Sequence, residues 1–136
     1  MKLELNLIPK CIIRRSIQLA GLSTNDKYRL GAVVFKGSRI ISEGYNKFRS
    51  CGIPSIYKKY PLTLHAEQDC INNVNWKKLK GKSILVVRIN KHDELLLAHP
   101  CKYCMNTIKH IGIKNIYYSD NKGNIIREKV CKGLKN

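Results

Sequence analysis

The chain has 136 residues, enough for one domain with a real hydrophobic core and short for two. Apolar residues at 43% and charged residues at 26% exclude a collagen-like or disordered chain, and no run reaches the roughly 18 apolar residues of a membrane helix. The 26 Lys and Arg against 9 Asp and Glu leave a net charge of +17, which points to anionic partners unless the lysines are simply solvated surface.

Pro9 suits a first helical turn, and Ile12, Ile13, Ile17 and Ala20 recur at helical spacing, predicting a helix over Cys11–Leu22 that ends at Gly21. Two β-rich runs follow, Leu30–Lys36 and Arg39–Tyr45, joined by a short turn at Gly37 and read as a hairpin. Residues Asn46–Thr63 carry Gly52, Pro54 and Pro61 without a sustained period and read as a long, functional loop. Leu64–Val74 reads as a short helix. Lys82–Ile89 holds the unbroken apolar run Ile84–Val87 of a strand covered on both faces, hence a central one. Pro100 opens a further helix in which Met105, Ile108 and Ile111 share a face before Gly112 stops it, and Asn115–Ser119 is the next strand. The tail from Asn124 fits a last strand or a helix packed on the sheet. This order predicts an α/β/α sandwich, three layers around a mixed sheet, as one domain over residues 1–136.

The first thirty residues hold neither the apolar run nor the small-residue cleavage site of an export signal, so a cytoplasmic location is expected. In that reducing setting six cysteines read as thiols and metal ligands rather than three disulfides. His65-Ala66-Glu67 is followed 33 residues after Glu67 by Pro100-Cys101-Lys102-Tyr103-Cys104. The combination H-x-E with P-C-x-x-C is the signature of zinc deaminases.

The spacing also makes chemical sense. Cys101 and Cys104 are i and i+3 at a helix start, where both sulfurs can face one ion and unpaired N–H groups favour thiolates. His65 and Glu67 are i and i+2, which in mid-helix would point about 200° apart, so they are expected at a helix entry. Three protein ligands, His65, Cys101 and Cys104, leave a fourth tetrahedral position for water, the catalytic arrangement of zinc. One zinc per chain is expected, with Glu67 as proton carrier. A structural zinc would want a fourth protein ligand, for which Cys70 is the nearest candidate. Cys11, Cys51 and Cys131 read as small hydrophobes or free thiols, and His92, His99 and His110 suggest no second metal.

From about Arg14 to Asp120 the chain resembles the cytidine and deoxycytidylate deaminase superfamily, closest to its deoxycytidylate branch. Leu30-Gly31-Ala32-Val33-Val34 resembles the first strand of these enzymes, and Arg39 to Asn46, ending Gly44-Tyr45-Asn46, resembles the second strand and its end. The resemblance implies a cytidine deaminase-like fold, Asn46 as a substrate contact, and backbone around Ala66 binding the base carbonyl. It implies that Glu67 takes protons from a zinc-activated water, one after the other, and passes one to the ring nitrogen and one to the leaving amine. Two positions depart from the family pattern. Leu97-Ala98-His99 stands where many relatives have Ser or Thr before Pro-Cys, and Lys47-Phe48-Arg49-Ser50 replaces the Gly-x-Pro that often follows Gly-Tyr-Asn.

The substrate expected first is a free pyrimidine nucleotide, dCMP or a close analogue. The alternative is a polynucleotide deaminase acting on single-stranded DNA or tRNA. It rests on the +17 charge and on Tyr45, Phe48, Tyr57 and Tyr60 interleaved with Lys47, Arg49, Lys58 and Lys59. A non-catalytic nucleic-acid-binding module keeping the fold and the zinc is a third reading, against which Glu67 speaks. Relatives are often oligomers, so a homo-oligomer is compatible with the resemblance, and no membrane partner is expected.

Overall fold

The structure is a computed structural model that describes residues 8–24, 27–48 and 63–129. Helix α1 (Lys10–Gly21) precedes strands β1 (Arg29–Lys36) and β2 (Arg39–Tyr45), then two short strands, β3 (Lys47–Phe48) and β4 (Thr63–Leu64). Helix α2 (Ala66–Asn72) and a 3-10 turn (Trp76–Lys78) lead to β5 (Ser83–Ile89) and β6 (Leu95–Leu96). Helix α3 (Lys102–Ile111), β7 (Asn115–Ser119) and β8 (Ile125–Lys129) complete the order.

The main sheet runs β2-β1-β5-β7-β8, with β6 on β5. Its β5–β7 pair is parallel and the other pairings antiparallel, so the sheet is mixed. The predicted hairpin is β1–β2, and the predicted central strand is β5, whose Ile84–Val87 are fully buried between β1 and β7. One face of the sheet packs Val33, Phe35, Leu85 and Val87 against Ile12, Leu19 and Ala20 of α1. The other packs Ala32, Val34, Ile84 and Val86 against Ala66, Cys70 and Ile71 of α2 and Met105, Ile108 and Ile111 of α3. Three layers result, as the element order predicts.

Each face seats a helix on a glycine. A Cβ on Gly31 would lie 2.2 Å from the Ser16 carbonyl in α1, and one on Gly44 would lie 2.3 Å from the Cys70 N–H and 2.7 Å from the Ala66 carbonyl in α2. The Gly of Gly-Tyr-Asn is thus a packing requirement, the place where the backbone of α2 rests on β2.

Several boundaries differ from the sequence reading. The Asn46–Thr63 segment is not loop throughout, because Lys47 and Phe48 pair with Leu64 and Thr63. Leu64 therefore belongs to β4, and α2 begins two residues later than expected, at Ala66. The C-terminal alternative resolves as a strand, β8, paired with β7 from Ser119↔Ile125 to Asn115↔Lys129. The pair β3–β4, β6 and the 3-10 turn had no periodic signal. Arg49, Cys51, Tyr57, Lys58, Lys59, Tyr60 and Cys131 lie outside the described residues.

The topology gathers both helix starts at one end of the sheet. The chain leaves β5 at Ile89 and returns through β6, where Leu96 pairs with Arg88. It is then held by the Ala98 N–H on the Ser119 carbonyl at 2.9 Å before α3 begins. On the α2 side, β3–β4 pair Lys47 with Leu64, so one step beyond that pair the two chains emerge as Asn46 and His65. The crevice past the carboxyl ends of the parallel strands, where α/β folds bind ligands, is therefore bordered by His65 and Cys101.

Candidate metal centre and proton carrier

His65 is the N-cap of α2 with extended backbone (φ −70°, ψ 151°), and Cys101 is the N-cap of α3 (φ −68°, ψ 167°). The expectation that H-x-E sits at a helix entry is what the backbone shows. His65 Nδ1 lies 3.3 Å from Cys104 Sγ and 3.7 Å from Cys101 Sγ. All three ligand atoms fall within 4.8 Å of one another. Around a tetrahedral zinc, sulfur and nitrogen ligands are separated by about 3.5 Å, so the donor set fits that ion. His65 and Cys101 are exposed and Cys104 buried, which leaves one side of the group open to a small molecule.

The helix start supports the sulfurs. The Cys104 N–H donates to Cys101 Sγ at 3.4 Å, and the Met105 N–H to the Cys101 carbonyl at 2.8 Å. Burial pushes the Cys104 thiol well above its ordinary range, with the neighbouring Glu67 and Cys101 adding to the rise. A bound dication reverses that preference and makes the thiolate the stable form. Cys70, the alternative fourth ligand, is absent from this group. It is fully buried on the core-facing side of α2, and burial pushes its thiol up to about 12.

Glu67 stands in the first turn of α2, 3% exposed, and is not within the ligand group. Burial raises its carboxyl above the ordinary carboxylate range, while its own backbone N–H and the His65 and His99 rings pull the other way. Burial favours the protonated form and the neighbouring groups the charged one, the opposed influences between which a proton carrier works.

Asn46 is buried, and its side chain is tied to the start of β1. Its Oδ1 accepts from the Leu30 N–H at 2.8 Å, and its Nδ2 donates to the Tyr28 carbonyl. An amide has two acceptor and two donor positions, so each end keeps one for another partner. Ala66 is buried against the sheet, with its carbonyl over Gly44. Sequence reasoning passed over Asp69. It is buried, accepts from the Tyr45 N–H at 3.1 Å and pairs with Lys47 at 3.0 Å, which fixes the chain on both sides of Asn46. His99, set aside at the sequence level, lies close enough to Glu67 to act on its charge and bonds Glu128 at 2.8 Å. Neither carries a spacing signal, because both act through neighbours distant in sequence.

Residues 9–120 match the family described as the cytidine and deoxycytidylate deaminase zinc-binding region. The chain belongs to this family. Solved structures agree in fold. The apo dCMP deaminase of cyanophage S-TIM5 is similar with a TM-score of 0.63 at 22% identity, over 89% of this chain and 86% of that one. The cytidine deaminase of Burkholderia pseudomallei gives 0.63 at 14%, over 89% and 91%. That of Mycobacterium leprae gives 0.57 at 16%, over 93% and 97%. No curated protein matches the chain. The protein is thus a member of a deaminase family whose zinc can be held by His65, Cys101 and Cys104. Among the described residues no helix is long and apolar enough to cross a membrane.

Proposed function

We propose that the chain, acting as a single catalytic domain, hydrolyses the 4-amino group of a free cytosine nucleotide, dCMP or a close analogue, releasing ammonia. The observation that carries this reading is a buried carboxyl, Glu67, beside an open three-ligand group. A structural zinc site has no use for such a carboxyl. Zinc, when bound, supplies Lewis acidity that makes a water nucleophilic near neutral pH.

The chain's own residues do the rest. Glu67 takes one proton from the attacking water and gives it to the ring nitrogen as the amidine carbon becomes tetrahedral, then takes the remaining proton from the new hydroxyl and delivers it to the departing amine, which leaves as ammonia as the carbonyl forms. Its burial keeps bulk water from competing for that proton. The backbone about Ala66 receives the base carbonyl, and the small side chain permits close approach. Asn46 uses its remaining donor and acceptor on the nucleotide, held in place by Leu30 and Tyr28. A dCMP deaminase of similar fold has been solved with dCMP and dUMP (TM-score 0.62, 22% identity), which supports a nucleotide as the substrate.

A polynucleotide substrate is the second reading, favoured by the net charge of +17 and by Tyr103, 65% exposed between the two cysteines. Ammonia release from dCMP, dCTP, cytidine, adenosine, single-stranded DNA and tRNA separates the two. Efficient turnover of dCMP with inert polymers supports the proposal. Deaminated base in DNA or tRNA with inert nucleotides overturns it.

A further inference from the structure

Every cation on the described sheet is expected to be either solvated or matched, and most are. Arg15 grips Glu43 with two bonds of 2.6 and 3.0 Å, Arg29 donates to the Asn90 carbonyl, and Lys47 pairs with Asp69. Arg88 departs from the pattern. Its Nε is buried and has no hydrogen-bond partner, and among the described residues no carboxylate pairs with it. Guanidinium stays charged at every accessible pH, so a buried N–H of this kind cannot be relieved by losing its proton. An unanswered buried donor costs free energy, and an incoming acceptor recovers it.

The position of Arg88 says where that acceptor comes from. It is the penultimate residue of β5, and by the two-residue period of a strand it shares a face with Ile84 and Val86. That is the face covered by α2 and α3, and Arg88 stands at the end of β5 where both helices begin. Its partner across the sheet is Leu30, whose N–H donates to Asn46, and its guanidinium lies 4.6 Å over the Tyr28 ring, whose residue accepts from Asn46. A continuous line of contacts therefore joins Arg88 to Asn46, which emerges beside His65. The contact with the Tyr28 ring steadies the cation, and a guanidinium has the forked N–H donors that suit two oxygens of one phosphate.

We propose that Arg88, steadied by Tyr28, is the anion receptor of the substrate site and binds the phosphate of the nucleotide. This rests on the reading of the site as one for nucleotides. It assigns discrimination between a nucleotide and its nucleoside to one residue of β5, without calling on the general surface charge.

The test observes the Arg88 Nε–H resonance of the zinc-loaded protein by ¹H–¹⁵N NMR, assigned through bonds from the backbone, during titration with dUMP, deoxyuridine and inorganic phosphate. The dUMP and inorganic phosphate should both move it, and deoxyuridine should move it little. In parallel, Arg88→Met should lower the preference for dCMP over deoxycytidine, as a ratio of kcat/KM, by about 10²-fold, the scale of charge-assisted hydrogen bonds. An Arg88 resonance unmoved by both dUMP and phosphate overturns the proposal, as does a preference that survives in Arg88→Met. A resonance that responds to phosphate in a protein inert toward dCMP leaves the anion receptor standing and removes the nucleotide reading instead.

Discussion

The two faces of the sheet are built alike and used differently. Each seats a helix on a glycine of the β1–β2 hairpin, Gly31 under α1 and Gly44 under α2, and each buries a continuous apolar cluster. The α1 face buries one polar side chain of its helix, Ser16, which spends its hydroxyl on the Ile13 carbonyl within the same helix. The α2 face buries Asn46, Glu67 and Asp69 and brings His65, Cys101 and Cys104 together. The difference lies in where helices start. Two helix N-termini meet at the carboxyl end of β5 and β7 on one face, offering unpaired N–H groups and ligand-bearing caps to one point. On the other face α1 only packs.

Metal removal should break this comparison most sharply. Chelation should abolish turnover and speed amide exchange in Ala66–Ile71 and Lys102–Ile108, by tenfold or more, while α1 amides stay protected, because metal binding energy is folding energy for the elements that hold it. Hydrogen exchange by mass spectrometry reads both faces in one sample, and equal loosening of α1 would contradict the division. Cys101→Ala should behave as the chelated protein does.

Valine at either glycine gives the next effect. Gly44→Val and Gly31→Val each force a side chain within 2.3 Å of helix backbone, and each should cost about 3 kcal/mol, the upper range for overpacking. Thermal unfolding should show similar losses. Zinc affinity should fall only in Gly44→Val, since of the two helices seated on these glycines only α2 carries a ligand at its start; an equal fall in Gly31→Val would show that the faces are not independent.

Thiol chemistry sharpens the contrast on a smaller scale. Cys11 is exposed on α1, whereas Cys70 is buried with its thiol raised to about 12. At pH 8, Ellman's reagent should modify Cys11 rapidly and Cys70 only as the protein unfolds. Because the folded state holds the Cys70 proton more tightly, the stability from burying the neutral thiol is fully present below the ordinary thiol range near 9. It is lost as pH rises toward about 12. Cys70→Ala should flatten that alkaline decline; an unchanged decline would place its cause elsewhere.

What could be read from the sequence follows from how locally each feature is encoded. The ligand set is legible because metal chemistry demands particular residue types at fixed spacings, and β1 and β5 because a buried strand must be an apolar, β-branched run. The start of α2 is less so. Leu64 suits a helix face as well as it suits β4, and only pairing with Lys47 across the intervening chain decides. Strands of two residues, β3, β4 and β6, have no period to detect. Asp69 and Arg88 look like solvated charges in a sequence with 26 Lys and Arg, and become significant only when partners, or their absence, are seen. Asn46 combines both conditions, legible as the end of Gly-Tyr-Asn but not as the clasp on Leu30 and Tyr28.

The central claim is that one face holds a metal and, separately, a proton carrier. Glu67→Gln tests it most directly, with zinc content, thermal stability and ammonia release from dCMP measured on the same preparations. The variant should bind one zinc per chain, unfold close to the wild-type temperature, and lose at least about 10²-fold in kcat, the scale of general acid–base catalysis. A variant that keeps its zinc and more than a few per cent of wild-type turnover would contradict the assignment of Glu67, and one that loses its zinc would make the carboxyl a ligand instead.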